Sequence, residues 1–539
     1  MKICDLIHYF LEFTLIKSII FLKIMIKIIG VELMKKHRKD TNQVFYIALV
    51  FVFSIVVYGI SFKDQFRAGA NSVFDFLVNN FGWFYLIVMT LFVVFSLWVA
   101  FSKYGKIKLG EDDSKPEYST ISWFAMLFSA GMGVGLVFWG VAEPLNHFVN
   151  PMGMEGGTRA AEIFSLKKSF FHWGLHPWAA YGVLALSLAY MQFRKKRPAL
   201  MSSILIPLIG EDTASGPLGK FVDILAIFAT VAGVATSLGM ATLQMTSGFN
   251  FLFGIPETNL VRLIVIGVVT LLFMISAITG LDKGIKFLSN ANITLGAILM
   301  ALGLIIGPTV LIMNNLTNGL GSYMSSIVSD SFEISSNNPW YGWWTIFYWA
   351  WWIAWAPFVS TFIARISKGR TIKEFIGGVL LAPTMASFVW FAIFGTLGMN
   401  TGMGVAEGAI EQTSTAFFEV MQHYPIGSII SMIAVVLLST FFITSADSAT
   451  FVLGMMSSNG DLNPSTQRKL IWGCIQSGLA IALMLSGGLD MLQTASIAAA
   501  FPFAIVMIFA MISMSKALRQ EDLAEIREKY KEQEDMDVF

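Results

Sequence analysis

The chain has 539 residues, of which 55% are hydrophobic and only 13% are charged. A soluble globular domain carries about 25% charged residues, so this composition excludes that class and predicts a helical protein that crosses a lipid bilayer several times. The formal net charge of +1 is no argument for a nucleic-acid partner, and none is predicted. Two cysteines, Cys4 and Cys474, are too few for a disulfide framework or a metal cluster.

Residues 1–33 are an apolar stretch that Glu and Lys residues interrupt. Its start is basic, as in a signal peptide, but it has no obvious small-residue cleavage site. Met34 is followed by a basic run typical of a cytoplasmic start, so we interpret residues 1–33 as a start-site artefact, with a weak extra membrane segment as the alternative. Residues 1–43 are predicted to form a cytoplasmic N-terminus.

Twelve apolar segments follow, and most are about as long as a bilayer-spanning helix. They are 44–62, 82–102, 121–143, 169–190, 222–253, 261–280, 287–313, 342–364, 375–398, 426–456, 469–487 and 491–515. Two of the connections between segments, 314–341 and 399–424, contain no Lys or Arg. Lys and Arg residues occur instead in the connections on the other side of the membrane and next to both ends of the chain. By the positive-inside rule, both termini are predicted to lie in the cytoplasm. The predicted fold class is an all-α polytopic membrane protein with twelve transmembrane helices in residues 44–516 and a cytoplasmic tail at 517–539.

The third segment has glycines at alternate positions, in the run Ser129-Ala-Gly-Met-Gly-Val-Gly135. Each glycine weakens a helix by up to about 1 kcal/mol relative to alanine. In a membrane such a run either lets helices pack closely or loosens the backbone so that its polar groups face a ligand. Both interpretations stay open on this segment alone.

The fourth segment contains the run Phe171-His-Trp-Gly-Leu-His-Pro-Trp-Ala-Ala-Tyr181. In one continuous helix, Trp173 and Tyr181 would be within about 80° of each other and could form one wall of a cage. His172 and His176 have a spacing that can bind metal, but no HExxH motif or nearby Cys supports a metal site, so that interpretation is weak.

The fifth segment places Thr230, Thr236 and Ser237 in an apolar helix. Hydroxyls in helix interiors most often bond to carbonyls of their own helix. This bonding is the expectation here unless a ligand uses the same oxygens.

Residues 314–339, between the seventh and eighth segments, are longer than a simple turn. Leu316, Leu320, Met324 and Ile327 recur there at helical spacing. The pattern predicts an external helix that lies on the membrane surface.

The eighth segment and the residues just before it, 340–358, contain seven of the protein's 15 tryptophans. Tryptophan normally lies at membrane interfaces, so a cluster in mid-segment requires another reason. Trp351 and Trp355 share one helical face, and Trp352 lies about 100° away. Pro357 is predicted to interrupt the helix. An aromatic wall beside a broken helix suits a cation without N–H groups, such as a quaternary ammonium, and dense helix packing is the alternative.

The tenth segment contains four hydroxyl residues and one carboxylate between Thr444 and Thr450. Charged groups at this depth are costly and usually functional. Thr444 and Ser445 offer hard oxygen ligands of the kind that Na+ needs. Asp447 is a ligand, a proton carrier or a helix-to-helix hydrogen-bond partner, and the structural role is favoured because its neighbours can satisfy it.

No nucleotide-binding, dinucleotide-binding or nucleophile motif occurs in a convincing context. The chain is therefore not predicted to be an enzyme or an ATP-driven pump. The two segments predicted to be interrupted, the third and the eighth, lie in separate halves of the chain, which is the best indication in a sequence of a transporter binding site.

At these positions the sequence resembles the betaine–carnitine–choline transporter family. The matching runs are Gly131-Met-Gly-Val-Gly135, Glu143-Pro-Leu145, Phe171-His-Trp-Gly174, Trp349-Ala-Trp-Trp-Ile-Ala-Trp-Ala-Pro-Phe358, Ile363-Ala-Arg-Ile-Ser-Lys-Gly-Arg-Thr371 and Thr444-Ser-Ala-Asp-Ser448. The resemblance covers about residues 40–516. It implies a LeuT-like fold with two five-helix inverted repeats, at about 121–313 and 342–515, alternating access and commonly a homotrimer.

The resemblance also implies a substrate site. Its aromatic residues are Trp173, Tyr181, Trp351, Trp352, Trp355 and Phe138. The first two and Trp352 correspond to the central box of the family, Trp351 and Trp355 to the cytoplasmic side of the path, and Phe138 lies beside the box. The backbone at Gly131, Gly133 and Gly135 would face the substrate carboxylate.

Two sodium sites are implied as well. The residues of the first are Ser129 and Met132, through backbone carbonyls, together with Phe441, Thr444 and Ser445. The second corresponds to Thr230 and Phe358, but Val234 stands at its other hydroxyl position, and Thr236 and Ser237 point elsewhere on the helix. The departure at Val234 puts the second site in doubt.

Gly135 bears on the coupling ion, because proton-coupled choline members that resemble this sequence carry an acidic residue there. No basic residue stands near Val234, as it does in sodium-independent exchangers. We therefore interpret the chain as a Na+-coupled importer of glycine betaine, an osmoprotectant, in the cell membrane, with Na+ as the coupling ion and no cofactor. The alternatives are a choline or carnitine transporter or exchanger of the same family and, from another class, a non-transporting membrane osmosensor.

Overall fold

The computed structural model describes residues 42–131, 133–279, 282–335 and 338–537, and the side chains of 128–132, 280–286 and 524–539 are not described. Within the described residues the chain is helical and contains no β-strand, apart from an isolated bridge between Lys108 and Thr371. The proposed start-site artefact at 1–33 lies outside the described residues.

The longer helices, numbered along the chain, are α1 Gln43–Ser61, α2 Lys63–Phe101, α3 Thr120–Gly131, α4 Val134–Val149, α5 Arg159–Trp173, α6 Leu175–Ala189, α7 Pro217–Phe253, α8 Asn259–Thr279, α9 Asp282–Ile306, α10 Thr309–Asp330, α11 Phe347–Ile366, α12 Ile372–Asn400, α13 Gly427–Met456, α14 Thr466–Gly487 and α15 Leu489–Asp537. Shorter helical segments are Lys103–Lys106, Tyr190–Arg194, Ser202–Leu205, Ile206–Ile209, Glu211–Ser215, Gly342–Ile346, Met403–Ile410 and Ala416–Met421.

Ten helices in the described part of the chain are long and apolar enough to cross a membrane. They are α1, α2, α7, α8, the part of α9 from Phe287, α11 with the turn before it, α12, α13, α14 and α15 up to Leu523. Of the two other predicted segments, 121–143 corresponds to the helix pair α3 and α4, and 169–190 corresponds to the helix pair α5 and α6. These findings agree with a polytopic membrane protein, while the count of twelve and the inverted repeats stay predictions.

The glycine run interrupts the third segment, as its composition predicts. α3 ends at Gly131, α4 begins at Val134, and Gly133 between them has φ −132° and ψ −133°, outside the helical region. Helix propensity is low at glycine, so the chain leaves the helical conformation here at small cost.

The fourth segment is also interrupted, which the sequence pattern does not predict. α5 ends at Trp173 and α6 begins at Leu175, because Gly174 adopts φ −93° and ψ −132°. The prediction that Trp173 and Tyr181 lie on one face of one helix is therefore wrong. A Cβ at position 174 would approach the Phe170 carbonyl oxygen to 2.4 Å, so a residue with a side chain would have to move this turn.

The predicted interruption at Pro357 is wrong, since α11 continues through this residue to Ile366. Proline lacks the backbone N–H that would bond to the Ile353 carbonyl. One turn later the side-chain hydroxyl of Thr361 donates to the Pro357 carbonyl at 2.7 Å, a bond within the same helix. α11 is buried along its length from Phe347 to Ser360 and packs against α6, α7 and α15, which hold it straight enough to continue.

The helix predicted between the seventh and eighth segments is present as α10, and its position on the membrane surface stays a prediction. Three residues of the predicted apolar stripe, Leu316, Leu320 and Ile327, are partly buried against the core, whereas Met324 is 68% exposed. The fully buried positions are Ile312, Asn315, Gly319, Tyr323 and Asp330. At the end of α10, the carboxylate of Asp330 lies 3.0 Å from the buried ammonium group of Lys168 on α5, and this ion pair joins the two helices.

Candidate functional site

A cavity lies where the glycine turn between α3 and α4 meets the tryptophans of α5 and α11. It is lined by Gly133, Val134, Gly135, Trp173, Ser237, Trp351, Trp352 and Trp355. Six of the nine predicted substrate-site residues are among these. The alternate glycines and the Trp-rich run, which are far apart in sequence, therefore meet in space.

The aromatic side of the cavity is a set of rings in contact with one another. The centroids of Trp351 and Trp352 are 5.0 Å apart at an interplanar angle of 19°, which is a stacked arrangement. Trp173 meets Trp352 edge to face at 4.9 Å. Together they present ring faces and edges around one space, the arrangement that aromatic cages use for cations.

Each of the four tryptophans that line the cavity donates its indole N–H to a defined acceptor. The bonds are Trp173 to the Glu143 carboxylate at 2.8 Å, Trp351 to the Ser237 hydroxyl at 3.3 Å, Trp352 to the His172 carbonyl at 3.0 Å and Trp355 to the Gly233 carbonyl at 2.8 Å. The carbonyl of His172 is free to accept because α5 ends one residue later. The rings are thus held by bonds at their polar edges.

Glycine at position 135 is required by how closely the rings approach it. A Cβ there would lie 2.7 Å from the Trp351 ring and 2.8 Å from the Trp173 ring. At Gly133 a Cβ would meet Ser445 Oγ at 3.5 Å and the Phe441 ring at 4.0 Å, which is ordinary contact. Gly135 therefore sets the width of the cavity, whereas Gly133 faces α13.

Two predicted substrate residues with described side chains, Tyr181 and Phe138, do not line the cavity. Tyr181 is buried and touches Trp352 edge to face at 6.1 Å, with no hydrogen-bond partner for its hydroxyl in the described part of the chain. Phe138 is buried against Trp139 at 5.0 Å. Gly131 is the last residue of α3, and its surroundings lie outside what the structure describes.

A buried carboxyl group, that of Glu143, lies behind the cavity and is not predicted from the sequence. Glu143 on α4 accepts hydrogen bonds from the Trp173 indole at 2.8 Å and the Tyr348 hydroxyl at 2.5 Å, both on Oε2. Its Oε1 lies 2.7 Å from His172 Nδ1. Glu143 is part of one of the runs that match the family, and its position at the end of an apolar segment was the available indication of a role.

The two histidines with the metal-binding spacing are directed to different partners. His176 stacks on Trp349 and its Nε2 lies 3.0 Å from the Ser331 hydroxyl, whereas His172 turns toward Glu143. Glu143, His147 and His172 bring one ligand atom each within 4.8 Å of one another, a spacing that could hold a metal ion. The second ring nitrogen of His172 lies 3.0 Å from the Thr345 hydroxyl, so hydrogen bonds alone account for its place.

The first candidate sodium region lies on the other side of Gly133. Phe441 and Ser445 approach this glycine from α13, as the contacts of its Cβ position indicate. The Thr444 hydroxyl donates to its own helix and accepts a bond of 3.1 Å from the amide of Asn292 on α9, whose Oδ1 is buried without a partner in the described residues. The side chain of Ser129 and all of Met132 lie outside the described residues.

The second candidate sodium region is less well supplied with oxygen atoms. The Thr230 hydroxyl donates to the Ala226 carbonyl of its own helix at 2.8 Å, as expected for a helix-interior hydroxyl. Phe358 contacts Trp355 at 5.5 Å between ring centroids. Thr236 bonds to α15 at Leu492, so its hydroxyl is directed away from this region.

Asp447 has the helix-to-helix partner that its favoured interpretation requires. The Ser276 hydroxyl of α8 donates to its carboxylate at 2.9 Å. The carboxylate therefore joins α8 to α13.

The described residues form many apolar helices, and two segments are interrupted at glycines beside an aromatic cavity, which is the architecture of a membrane transporter. Comparison with known proteins identifies the kind of transporter. The family model for betaine/carnitine/choline family transporters matches residues 43–523, and the chain belongs to this family. Its members are transporters and not enzymes.

Individual relatives are similar over nearly their whole length. The chain is 49% identical to the glycine betaine transporter OpuD of Bacillus subtilis over 90% of this chain and 95% of that protein. It is 45% identical to a probable glycine betaine transporter of Desulfitobacterium hafniense, over 90% of this chain and 98% of that protein. It is 42% identical to an ectoine/hydroxyectoine transporter of Virgibacillus pantothenticus, over 88% of this chain and 96% of that protein.

Proposed function

We propose that this transporter imports glycine betaine together with Na+, as an osmoprotectant, across the cell membrane. The observation that carries the proposal is the cavity bounded by four tryptophans on one side and by Gly133 and Gly135 on the other. A trimethylammonium group has no N–H to donate and binds aromatic faces, each worth about 0.5–2 kcal/mol. The backbone amides near the glycine turn suit the substrate carboxylate.

The proposed coupling rests on the closeness of the glycine turn and α13. Phe441 and Ser445 lie against Gly133, which also borders the cavity. Na+ bound between this turn and α13 would hold the two helices together and so raise the affinity for substrate, which is positive coupling between two ligands. The similarity to two proteins named as glycine betaine transporters supports the choice of substrate.

The testing experiment is uptake by the purified protein in proteoliposomes. Labelled glycine betaine is offered with an inward Na+ gradient, with an inward H+ gradient in K+ medium, and with no gradient. We expect accumulation only with Na+. Accumulation driven equally by H+, or exchange without a gradient, would contradict the coupling.

Competition of unlabelled solutes with labelled glycine betaine distinguishes between the candidate substrates. Ectoine is a specific rival, because a relative at 42% identity is named for it and its amidinium is also a cation. We expect unlabelled glycine betaine to compete more strongly than ectoine, choline or carnitine. The homotrimer and the cytoplasmic termini stay predictions, which native mass spectrometry and accessibility of cysteines introduced near each end would check.

A further inference from the structure

The carboxylate of Glu143 occupies the centre of a fully buried polar cluster behind the aromatic wall. Glu143 and its neighbours His147, His172 and Tyr348 are all 0% exposed. Two donors from different helices, the indole of Trp173 on α5 and the hydroxyl of Tyr348 on α11, converge on the same oxygen. A third helix, α4, supplies the carboxylate itself.

Trp173 connects this cluster to the cavity. It is a lining residue, and its ring contacts Trp352 at 4.9 Å and Tyr348 at 5.7 Å. Its indole N–H can only donate, so an acceptor at a fixed place determines the rotation of the ring. Glu143 is that acceptor, and Tyr348 ties it to α11.

The nearest lysine is engaged outside the cluster. The cationic side chain of Lys168 lies 3.0 Å from Asp330 and 3.0 Å from Glu333, and among the described residues it forms no ion pair with Glu143. The other carboxyl oxygen of Glu143, Oε1, has His172 Nδ1 at 2.7 Å and His147 Nε2 at 3.5 Å beside it. Both oxygens of Glu143 are therefore engaged inside the cluster, which fixes the place of the acceptor that Trp173 uses.

We propose that Glu143 is a positioning residue for substrate recognition: its Oε2 atom orients Trp173 and Tyr348 and so holds the aromatic wall in the arrangement that receives a quaternary ammonium. The inference rests on the proposed function, since it concerns the affinity of the same cavity. It deepens that function by assigning the orientation of the aromatic wall to a carboxyl group outside the cavity.

The test measures substrate affinity and protein stability separately. Glu143→Gln replaces one of the two carboxyl oxygens with an amide NH2, which donates and cannot accept, and Trp173→Phe keeps a ring but removes the donor. We expect Glu143→Gln to raise the KM for glycine betaine uptake and the Kd from tryptophan fluorescence by about tenfold or more, because a buried polar group of the cluster is left without its partner. Asp223→Asn is the matched control.

Asp223 suits this purpose because it is a buried carboxylate that does not line the cavity. It accepts bonds from the backbone N–H of Ser202 at 2.9 Å and from its hydroxyl at 2.8 Å. The same carboxylate-to-amide change there should leave the KM within about twofold while it lowers the thermal midpoint, since a charged acceptor is lost.

A double variant distinguishes positioning from general damage. If Glu143 acts through the Trp173 indole, the Glu143→Gln/Trp173→Phe protein should have a KM no higher than the worse single variant, since interacting residues are not additive. Multiplying effects, or a lowered thermal midpoint with an unchanged KM for Glu143→Gln, would overturn the proposal. If that variant does not fold, Tyr348→Phe removes one donor from the same oxygen and should raise the KM by about threefold or more; an unchanged KM would again overturn it.

Two further measurements show which of the proposals a negative result contradicts. A wild-type protein that binds no glycine betaine would refute the proposed function, whereas normal wild-type binding with unchanged Glu143→Gln affinity would refute only the role of Glu143. Loss of wild-type binding after chelation, restored by Zn2+, would assign Glu143, His147 and His172 to a metal and overturn the positioning role. We expect chelation to have no effect.

Discussion

The aromatic cavity and the candidate sodium region differ in how their polar atoms are bonded. In the cavity each of the four lining indoles donates to an acceptor on another helix, for example Trp355 of α11 to Gly233 of α7. In the first candidate sodium region the Thr444 hydroxyl donates to a carbonyl of its own helix and accepts a bond from Asn292, and in the second the Thr230 hydroxyl donates to its own helix. A hydroxyl oxygen has two lone pairs, so Thr444 keeps one lone pair for a cation, and the cavity and the sodium regions suit different ligands.

The two kinds of region should differ in how well they tolerate substitution. The cavity depends on bonds between helices, so a substitution there disturbs several rings at once. The sodium regions depend on single oxygen atoms, so a substitution there should change one affinity. Substitutions in the cavity are therefore expected to have the larger effects.

The largest effect is expected from Trp352→Ala. Trp352 contacts Trp173, Tyr181 and Trp351 and is bonded to His172, so its removal opens the wall of the cavity. We expect no measurable uptake by a protein that still reaches the membrane, because the ring faces contribute about 0.5–2 kcal/mol each and the packing is lost as well. Trp83→Ala on α2, where the ring is 51% exposed, is the control and should transport normally.

Normal uptake by the Trp352 variant would refute the cavity as the substrate site. Surface biotinylation with quantitative blotting separates a transport defect from poor insertion. The contrast between the cavity and the candidate sodium regions would then no longer hold, because the cavity would not bind the substrate.

A smaller but still large effect is expected from Gly135→Ala. The added methyl would lie within 3 Å of two rings, and overpacking of this kind costs about 1–3 kcal/mol. We expect the KM for glycine betaine to rise by roughly fivefold to a hundredfold. Gly404→Ala, where a Cβ meets nothing within 4 Å, is the matched control, and an equal change in both variants would contradict the role of Gly135 in setting the cavity width.

An intermediate effect on ion dependence is expected from Thr444→Ala. Loss of one oxygen should raise the Na+ concentration for half-maximal uptake by about tenfold, by analogy with lost hydrogen bonds to charged groups. Thr440→Ala removes a hydroxyl one turn earlier on α13, where the group donates to Val436, and should leave the Na+ dependence unchanged. An unchanged dependence in the Thr444 variant would remove α13 from the coupling site.

The smallest effect is expected from Thr230→Val. This hydroxyl already bonds to Ala226, and position 234, where the resemblance implies a second hydroxyl, is Val. We expect the Na+ concentration for half-maximal uptake to change by less than about threefold, the size of one weak interaction. A change as large as that of Thr444→Ala would establish a second sodium site here in spite of Val234.

The parts of the fold that the sequence predicts are those governed by composition over a long stretch. Apolar length predicts helices such as α7 and α13, and alternate glycines predict the interruption before Val134. The interruption at Gly174 is not predicted, because one glycine inside an apolar run usually stays helical. Pro357 is predicted to break a helix that tertiary packing keeps continuous.

The site is predictable where its residues are close in sequence. Trp351, Trp352 and Trp355 are within one turn and a half of a helix, and all three line the cavity. Glu143 could not be assigned in this way, because its bond to Tyr348 joins residues 205 positions apart. The position of a carboxylate along its own helix does not indicate which hydrogen-bond donors of other helices will lie next to it in the folded protein.

The anchored indoles also have a thermodynamic consequence. An aromatic side chain that is immobilised only when its ligand arrives loses conformational entropy at that moment, which costs about 0.5–1.5 kcal/mol for a side chain with many rotamers. Here the four rings lose that freedom when the helices assemble, so their entropy loss belongs to folding. Affinity for a small solute then reflects attraction and desolvation, with little opposing contribution from ordering the walls that receive it.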